Sequence, residues 1–413
     1  MNLTIASLTL GTSLWGVIRR PKGLPLFLFP LLGALLVLLL GIEPWSALPG
    51  IWKIVGDATL TLISLMGISL ALDQLGFFRW CSQSLLVLSG GDEKKTWWAL
   101  MLLAWVVTAV LANDGAMLIL VPIYAEMLKG LDRKAFLAFL FPVGFLIDVA
   151  STPLVTSNLT NIMLADAFHL SFVEYARLMA LPSLALGAAG LGLCWLVFRR
   201  HLPTRLDSPD DFDPPHRWIG WTALTLLLLG FSLAHLFQAS VSFVVGSVAV
   251  FTILAARWKK ACTLSFILRK TPWEIVLFAF SLFVLVDALA RAGGLAILLD
   301  TWKTFAPSWR PLGIGATVGL LSALLNNLPA LLLGLLGFQA HPAMATPSAL
   351  AAALVGANVA PKLTPFGSLA TLLWMRLLAD RGIRIGWGEY LRLSLWLTPP
   401  MVALGLLVAG LNH

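Results

Sequence analysis

Four short polar stretches interrupt an otherwise apolar chain, and they hold the residues best placed to do chemistry away from water. Asp114 stands in LANDGAMLILVPI, Asp148 in GFLIDVASTPLVTSNLTNI, Asn326 and Asn327 in SALLNNLPALLLG, and Lys362 in VGANVAPKLTPFGSLATLLW. An ionised Asp at the centre of a membrane helix costs about 2.5–3.5 kcal/mol, so such a residue usually faces a cavity and has a task. For Asp114 that task is binding a substrate or a proton. A helix N-cap formed by Asn113 or Asp114, with Gly115 easing the turn, is compatible with it. Asp148 sits just ahead of Ser151, Thr152, Thr156, Ser157, Asn158, Thr160 and Asn161. Hydroxyls and amides both donate and accept hydrogen bonds, which suits a neutral hydroxylated solute better than a bare ion. The same side chains could instead only satisfy the backbone of a broken helix. Pro361, Thr364, Pro365, Gly367 and Ser368 define a second such break. Lys362 reads either as a structural ion pair with Asp114 or Asp148, or as a charge that replaces a coupling cation. The expected substrate-binding set is Asn113, Asp114, Ser151, Thr152, Ser157, Asn158, Asn326, Asn327, Thr364 and Ser368. The expected proton-coupling set is Asp114, Asp148 and Lys362.

Other reactive side chains lack a constellation. Asp57 and Asp287 lie nearer helix ends and read as structural or interfacial. The histidines are scattered, and Cys81, Cys194 and Cys262 show neither disulfide nor metal spacing. No P-loop, zinc-protease or serine-hydrolase motif occurs, so neither ATP-driven chemistry nor an enzyme is supported. No fixed metal ligands and no cofactor are expected. Trp97, Trp98 and Trp302 read as membrane-interface anchors.

The elements that must position these residues follow from composition. Hydrophobic residues make up 59% and charged residues 12% of 413, against about 45–50% and about 25% in soluble domains. Apolar runs long enough to cross roughly 30 Å of hydrocarbon recur throughout. They fall at 2–18, 24–42, 54–74, 97–128, 134–165, 173–198, 218–236, 240–256, 273–291, 311–338, 346–379 and 388–411. The first lacks a basic leader region and a clear cleavage site and reads as a retained helix. Net charge is +8, but the basic residues sit in short loops, which argues against nucleic acid. Irregular backbone at membrane depth is tolerated only where it is buried or lines a cavity. We therefore read 97–128 and 311–338 as re-entrant hairpins, and 134–165 and 346–379 as broken helices. Loops 19–23, 75–96, 129–134, 199–217, 257–272 and 376–392 then share one side and carry 22 of the 28 Lys and Arg residues. The positive-inside rule makes that side cytoplasmic and places both termini outside.

This assignment gives an all-α polytopic membrane protein with an inverted repeat of about five elements per half and about ten full spans. Its parts are an extra helix at 1–23, a first repeat at 24–198, a linker and connecting helix at 199–239, and a second repeat at 240–413. The linker stretch 199–217, rich in Pro and Asp, reads as solvated. Paired interruptions in two halves point to a midplane substrate site.

These residues resemble a known family. Ala112–Ala116, Asp148–Ile162 and Pro361–Trp374 are similar to the hallmark runs of the ArsB arsenite permeases. LDQLGFF at 72–78, ADAFHLSFVEYA at 165–176, NNLP at 326–329 and GIRIGWGEYLR at 382–392 extend the likeness over nearly the whole chain. The resemblance implies a multi-pass inner-membrane carrier with the ion-transporter fold. It implies proton-driven export of arsenite and antimonite by alternating access. It implies pairing with a soluble arsenite-stimulated ATPase, which many members do without. It also assigns matching positions to Asn113, Asp114, Asp148, Ser157, Asn158, Asn326, Asn327, Lys362 and Ser368. The chain departs from the family where members often carry a carboxylate and this one has Asn358. The polar motifs alone leave a sodium–proton antiporter or an anion carrier of the same superfamily open.

Overall fold

The computed structural model describes residues 1–19, 24–203, 206, 212–234, 240–271 and 273–412. Among them every regular element is helical. Six helical stretches are long and apolar enough to cross a membrane, and five shorter apolar helices accompany them.

Helix α1 (Asn2–Arg19) precedes two series of helices, one of eight and one of nine. The first series runs α2 (Leu28–Leu39), α3 (Leu48–Gln74), α4 (Phe77–Leu88), α5 (Glu93–Leu111), α6 (Asn113–Met127), α7 (Arg133–Ala150), α8 (Leu159–Ala167) and α9 (Phe172–Phe198). Helix α10 (Arg217–Ala234) connects. The second runs α11 (Val241–Trp258), α12 (Leu264–Lys270), α13 (Glu274–Leu289), α14 (Leu295–Thr304), α15 (Arg310–Leu325), α16 (Asn327–Ala340), α17 (Pro347–Val359), α18 (Leu369–Ala379) and α19 (Trp387–Ala409). Several starts are set by side-chain caps visible in the sequence. Asp92 accepts from the Lys94 and Lys95 N–H groups, and Ser171 and Glu174 form a capping box. Asn158, Ser240, Thr263 and Thr346 cap α8, α11, α12 and α17.

Both expected hairpins form. One residue separates α5 from α6, and the Tyr124 hydroxyl of α6 donates to the Leu100 carbonyl of α5 at 2.8 Å. The arms are therefore antiparallel about their tip. In the second hairpin a Cβ at Gly334 of α16 would lie 3.3 Å from Val318 of α15, the same register about Asn326. Both expected broken helices form as well, α7 with α8 and α17 with α18.

Three elements depart from expectation. Helices α4, α12 and α14 lie where the apolar pattern gave only loops. Each is short and turns only part of its surface inward, Phe77, Phe78 and Leu86 on α4, Ile267 on α12, and Leu298, Leu299 and Trp302 on α14. Gly76 starts α4 with φ +75, and a Cβ there would meet Phe212 at 2.9 Å. The linker is also not simply solvated. Phe212 lies under the Arg79 guanidinium at 4.7 Å, and the Leu206 N–H donates to the Gly91 carbonyl at 3.3 Å. Its residues 204–205 and 207–211 lie outside the described residues. Two of the three expected interface tryptophans are core. Trp97 is fully buried, donates its indole N–H to the Ala138 carbonyl at 2.9 Å and packs against Trp195. Trp302 is fully buried against Phe338. Trp98 remains at the surface, 40% exposed. A tryptophan whose N–H finds a carbonyl inside the bundle no longer needs the interface.

Helices α15 and α17 meet through glycines. A Cβ on Gly356 would lie 2.2 Å from the Gly315 carbonyl oxygen, so the two backbones touch. Small residues at such contacts replace a hydrophobic drive that lipid does not supply.

Candidate functional site

The two hairpin tips share a backbone shape. Ala112 has φ 73 and ψ 145, and Asn326 has φ 92 and ψ 154. Asn113 and Asn327 therefore become the first residues of the second arms, and Asp114 occupies the place that Leu328 takes in the other tip. The freed N–H groups and helix dipole of α6 favour negative charge at this point. The Asn113 side chain accepts from the Asp114 N–H at 2.9 Å and donates to Asp148 Oδ1 at 2.8 Å. The second tip is stitched through main chain instead. The Asn327 N–H donates to the Gly367 carbonyl at 3.1 Å, Asn326 Nδ2 to the Phe366 carbonyl at 3.4 Å, and the Thr364 hydroxyl to the Ala323 carbonyl at 2.7 Å.

Between the halves lies a buried ion pair. Lys362 Nζ stands 2.5 Å from Asp148 Oδ2, and both side chains are fully buried. Lys362 also donates to Thr371 Oγ1 at 2.8 Å and to the Gly144 carbonyl at 3.4 Å. Its own carbonyl accepts from the Tyr390 hydroxyl at 3.0 Å and Ser394 Oγ at 2.5 Å. A Cβ on Gly144 would fall 2.2 Å from the Trp374 ring, so glycine lets α7 approach α18 this closely. Of the two partners the sequence offered Lys362, the structure pairs it with Asp148. Asp114 stays apart. Its carboxylate accepts no hydrogen bond and makes no ion pair among the described residues, while Asp148 and Lys362 lie within electrostatic reach. Beside it, the buried hydroxyl of Ser69 on α3 has no partner and would lie 3.0 Å from a Cβ on Gly115. Thr59 and Thr61 of the same helix do bond back to carbonyls one turn earlier. Ser69 instead faces the tip.

The hydroxyl-rich first break is mostly spent on itself. Ser151 Oγ donates to the Asp148 carbonyl at 2.7 Å and Thr152 Oγ1 to the Val149 carbonyl at 2.8 Å. Ser157 donates to the carbonyls of Ser151 and Leu154. Asn158 caps α8, and its amide donates to Ser151 Oγ at 3.1 Å and to Asn358 Oδ1 at 3.4 Å. Asn358 is the hub of this cluster. It accepts from Thr160 Oγ1 at 2.7 Å and donates to Asn161 Oδ1 at 2.8 Å. Ser368 precedes α18 without capping it. Asn113, Asp148 and Lys362 thus touch in one group and Ser151, Asn158 and Asn358 in another, while Asn326, Asn327 and Thr364 bond within the second tip and break. Sequence reasoning passed over Ser69, Thr371, Tyr390 and Ser394, single polar residues in apolar helices. Asn358 was marked as the place where the chain departs from the family it resembles.

Elsewhere, Asp57 accepts from the Ser242 hydroxyl, and Asp287 pairs with Arg291 at 2.8 Å. Among the described residues no three His, Cys, Asp or Glu side chains cluster as a metal site.

A family model described as ArsB, arsenical pump membrane protein, matches residues 4–411. An arsenical pump membrane protein of Escherichia coli is 36% identical over 410 residues, covering 96% of each chain. One of Yersinia enterocolitica is 35% identical over 425 residues, covering 99% of this chain and 98% of its own. Among solved structures, the YdaH transporter of Alcanivorax borkumensis, described as having an unusual topology, aligns with a TM-score of 0.54 at 18% identity. It covers 89% of this chain and 86% of that one. The last likeness concerns fold alone.

Proposed function

From the premise that this chain belongs to the ArsB family of arsenical pump membrane proteins, and is thus a multi-pass membrane transporter of arsenicals, we propose how it works. It exports arsenite and antimonite as neutral trivalent hydroxides in exchange for protons. The halves 24–198 and 240–413 are oppositely oriented, and their tips and breaks expose one midplane site alternately to each side. The observation that carries this reading is the contrast between two carboxylates. Asp148 is already neutralised by Lys362 and held by Asn113. Asp114 has acceptor capacity left over at a helix N-terminus.

A hydroxylated solute supplies what Asp114 lacks, because each of its O–H groups can donate to the carboxylate. Ser69 stands ready as a further donor or acceptor. A proton arriving from outside converts Asp114 from a pure acceptor into a donor, removes the reason for the solute to stay, and resets the carrier. The fixed Asp148–Lys362 pair keeps the surrounding field constant while Asp114 changes state. No thiolate cage is needed, since Cys81, Cys194 and Cys262 are separate and unpaired. Weak oxygen contacts permit release.

The test is arsenite uptake into everted vesicles. Wild-type uptake should collapse with an uncoupler, and Asp114→Asn should abolish uptake without loss of folded protein. Full uptake by Asp114→Asn, or uptake indifferent to the proton gradient, removes the proposal. Sodium-dependent movement would favour the cation-antiport reading instead.

A further inference from the structure

A second acidic group lies far from the midplane, in the loop between α2 and α3. Glu43 is fully buried, and neither of its carboxyl oxygens receives a hydrogen bond from any donor among the described residues. Beside it stands the Asp287 carboxyl. The Arg291 guanidinium is 3.4 Å from Glu43 Oε2 and 2.8 Å from Asp287 Oδ2. Arg291 falls in a π-helical turn, Ala290–Gly294, where Gly293 takes φ 114. Such turns recur at functional positions. Asp287 and Arg291 line a cavity of about 290 Å³ together with Ser46, Ile51, Leu332 and Leu336. Helix α16 carries Leu332 and Leu336 away from the second tip, so the cavity follows this arm out from the midplane.

An ionised carboxylate without donors, beside a second carboxylate, is among the costliest arrangements a protein interior can hold. A single Arg balances only one of the two charges. A metal cation would meet repulsion from the same guanidinium. A proton shared between the carboxyls satisfies both. We propose that Glu43 and Asp287 form an extracytoplasmic proton site, which takes up a proton from the cavity through Asp287 and stores it on Glu43. The proposal rests on the orientation and proton coupling given above.

Glu43 lies outside both neighbouring spans. Burial first, and then the Asp287 carboxylate, push it up to about 8, with Arg291 opposing. The other charges nearby have their own partners or distance. Helices α2 and α16 carry no ionisable side chain, and α1 has only Arg19 at its far end. On α3, Asp57 binds Ser242 and Lys53 faces Asp166. On α14, Asp300 pairs with Lys303. Below about 8 Glu43 holds its proton, and above it Glu43 carries a buried negative charge.

The full chain in liposomes, loaded with arsenite and titrated on its extracytoplasmic face, tests this. Wild-type transport should fall as that pH rises through about 8. Glu43→Gln has no proton to lose there and should hold its low-pH rate across the range. Asp287→Asn should move the fall to lower pH. Infrared spectra of purified protein should show a carboxylic-acid band at mildly acidic pH that is missing from Glu43→Gln and that wild type loses at high pH. An unchanged pH profile and an unchanged band in Glu43→Gln overturn the proposal. If wild type moves no arsenite, the transport reading fails, and the infrared difference still decides the fate of the dyad.

Discussion

The two broken helices occupy matching places and are finished in different ways. Asp148 lies as far ahead of Asn158 as Asn358 lies ahead of Ser368, and each pair ends at the residue that starts the next helix. At the first bend stands a carboxylate, completed by a lysine from the other half. At the second stands an amide, completed by Asn158, Thr160 and Asn161 from the other half. Packing diverges too. The second break rides on α15 through bare backbone at Gly315 and Gly356, whereas the first meets the other half through the rings of Phe141, Phe145, Trp374 and Tyr390. One scaffold is thus used once to hold charge among adaptable side chains and once to hold main chain rigidly. Neither bend is complete without residues from the opposite half.

The sharpest way to break this comparison is to unpair the charge. Lys362→Met or Asp148→Asn alone should cost about 3–5 kcal/mol, because the surviving charge stays buried without its partner. Thermal unfolding in detergent should show both single variants well below wild type, and the double variant recovering most of the loss without recovering transport. Single variants as stable as wild type would mean that the pair is not what holds the first bend. Next in size is Gly356→Ala, where the new methyl meets a carbonyl that cannot turn aside. Overpacking of this kind costs about 1–3 kcal/mol, and the same measurement should show Gly144→Ala losing less if Trp374 can rotate away. The mildest change imposes the first half's chemistry on the second. Asn358→Asp, kept protonated by burial, exchanges the amide donor to Asn161 for a carboxyl O–H and should cost about 1 kcal/mol. Arsenite transport by this variant should gain a new titration in its pH profile, and an unaltered profile would show that the second bend is silent to protons.

Much of this was legible in the sequence. The hairpins and breaks announced themselves because polar residues and prolines are costly in lipid. Helices α4, α12 and α14 were not legible. They are short and half-polar, and a composition window blends them into the loops. At the site, Lys362 was visible as a cation needing a carboxylate, but the choice of Asp148 depends on how closely Gly144 lets α7 approach Trp374. For Ser151, Thr152 and Ser157 the sequence left open substrate binding or service to the broken helix, and the structure shows their hydroxyls bonded to nearby carbonyls. The opposite holds for Ser69, which looked like filler and is left without a partner. Trp97 and Trp302 were misplaced because an indole can also be held inside the bundle, Trp97 by the Ala138 carbonyl and Trp302 by packing against Phe338.

The grip of Tyr390 and Ser394 on the carbonyl of Lys362 bears on how the protein is made. During synthesis the lysine enters the bilayer well before the final helix exists, so the hydroxyls that fix its backbone arrive last. A chain that has not yet reached α19 has the Lys362–Asp148 pair but leaves the Lys362 carbonyl without these two donors. The last helix to be made is therefore the one that fastens the second bend from behind.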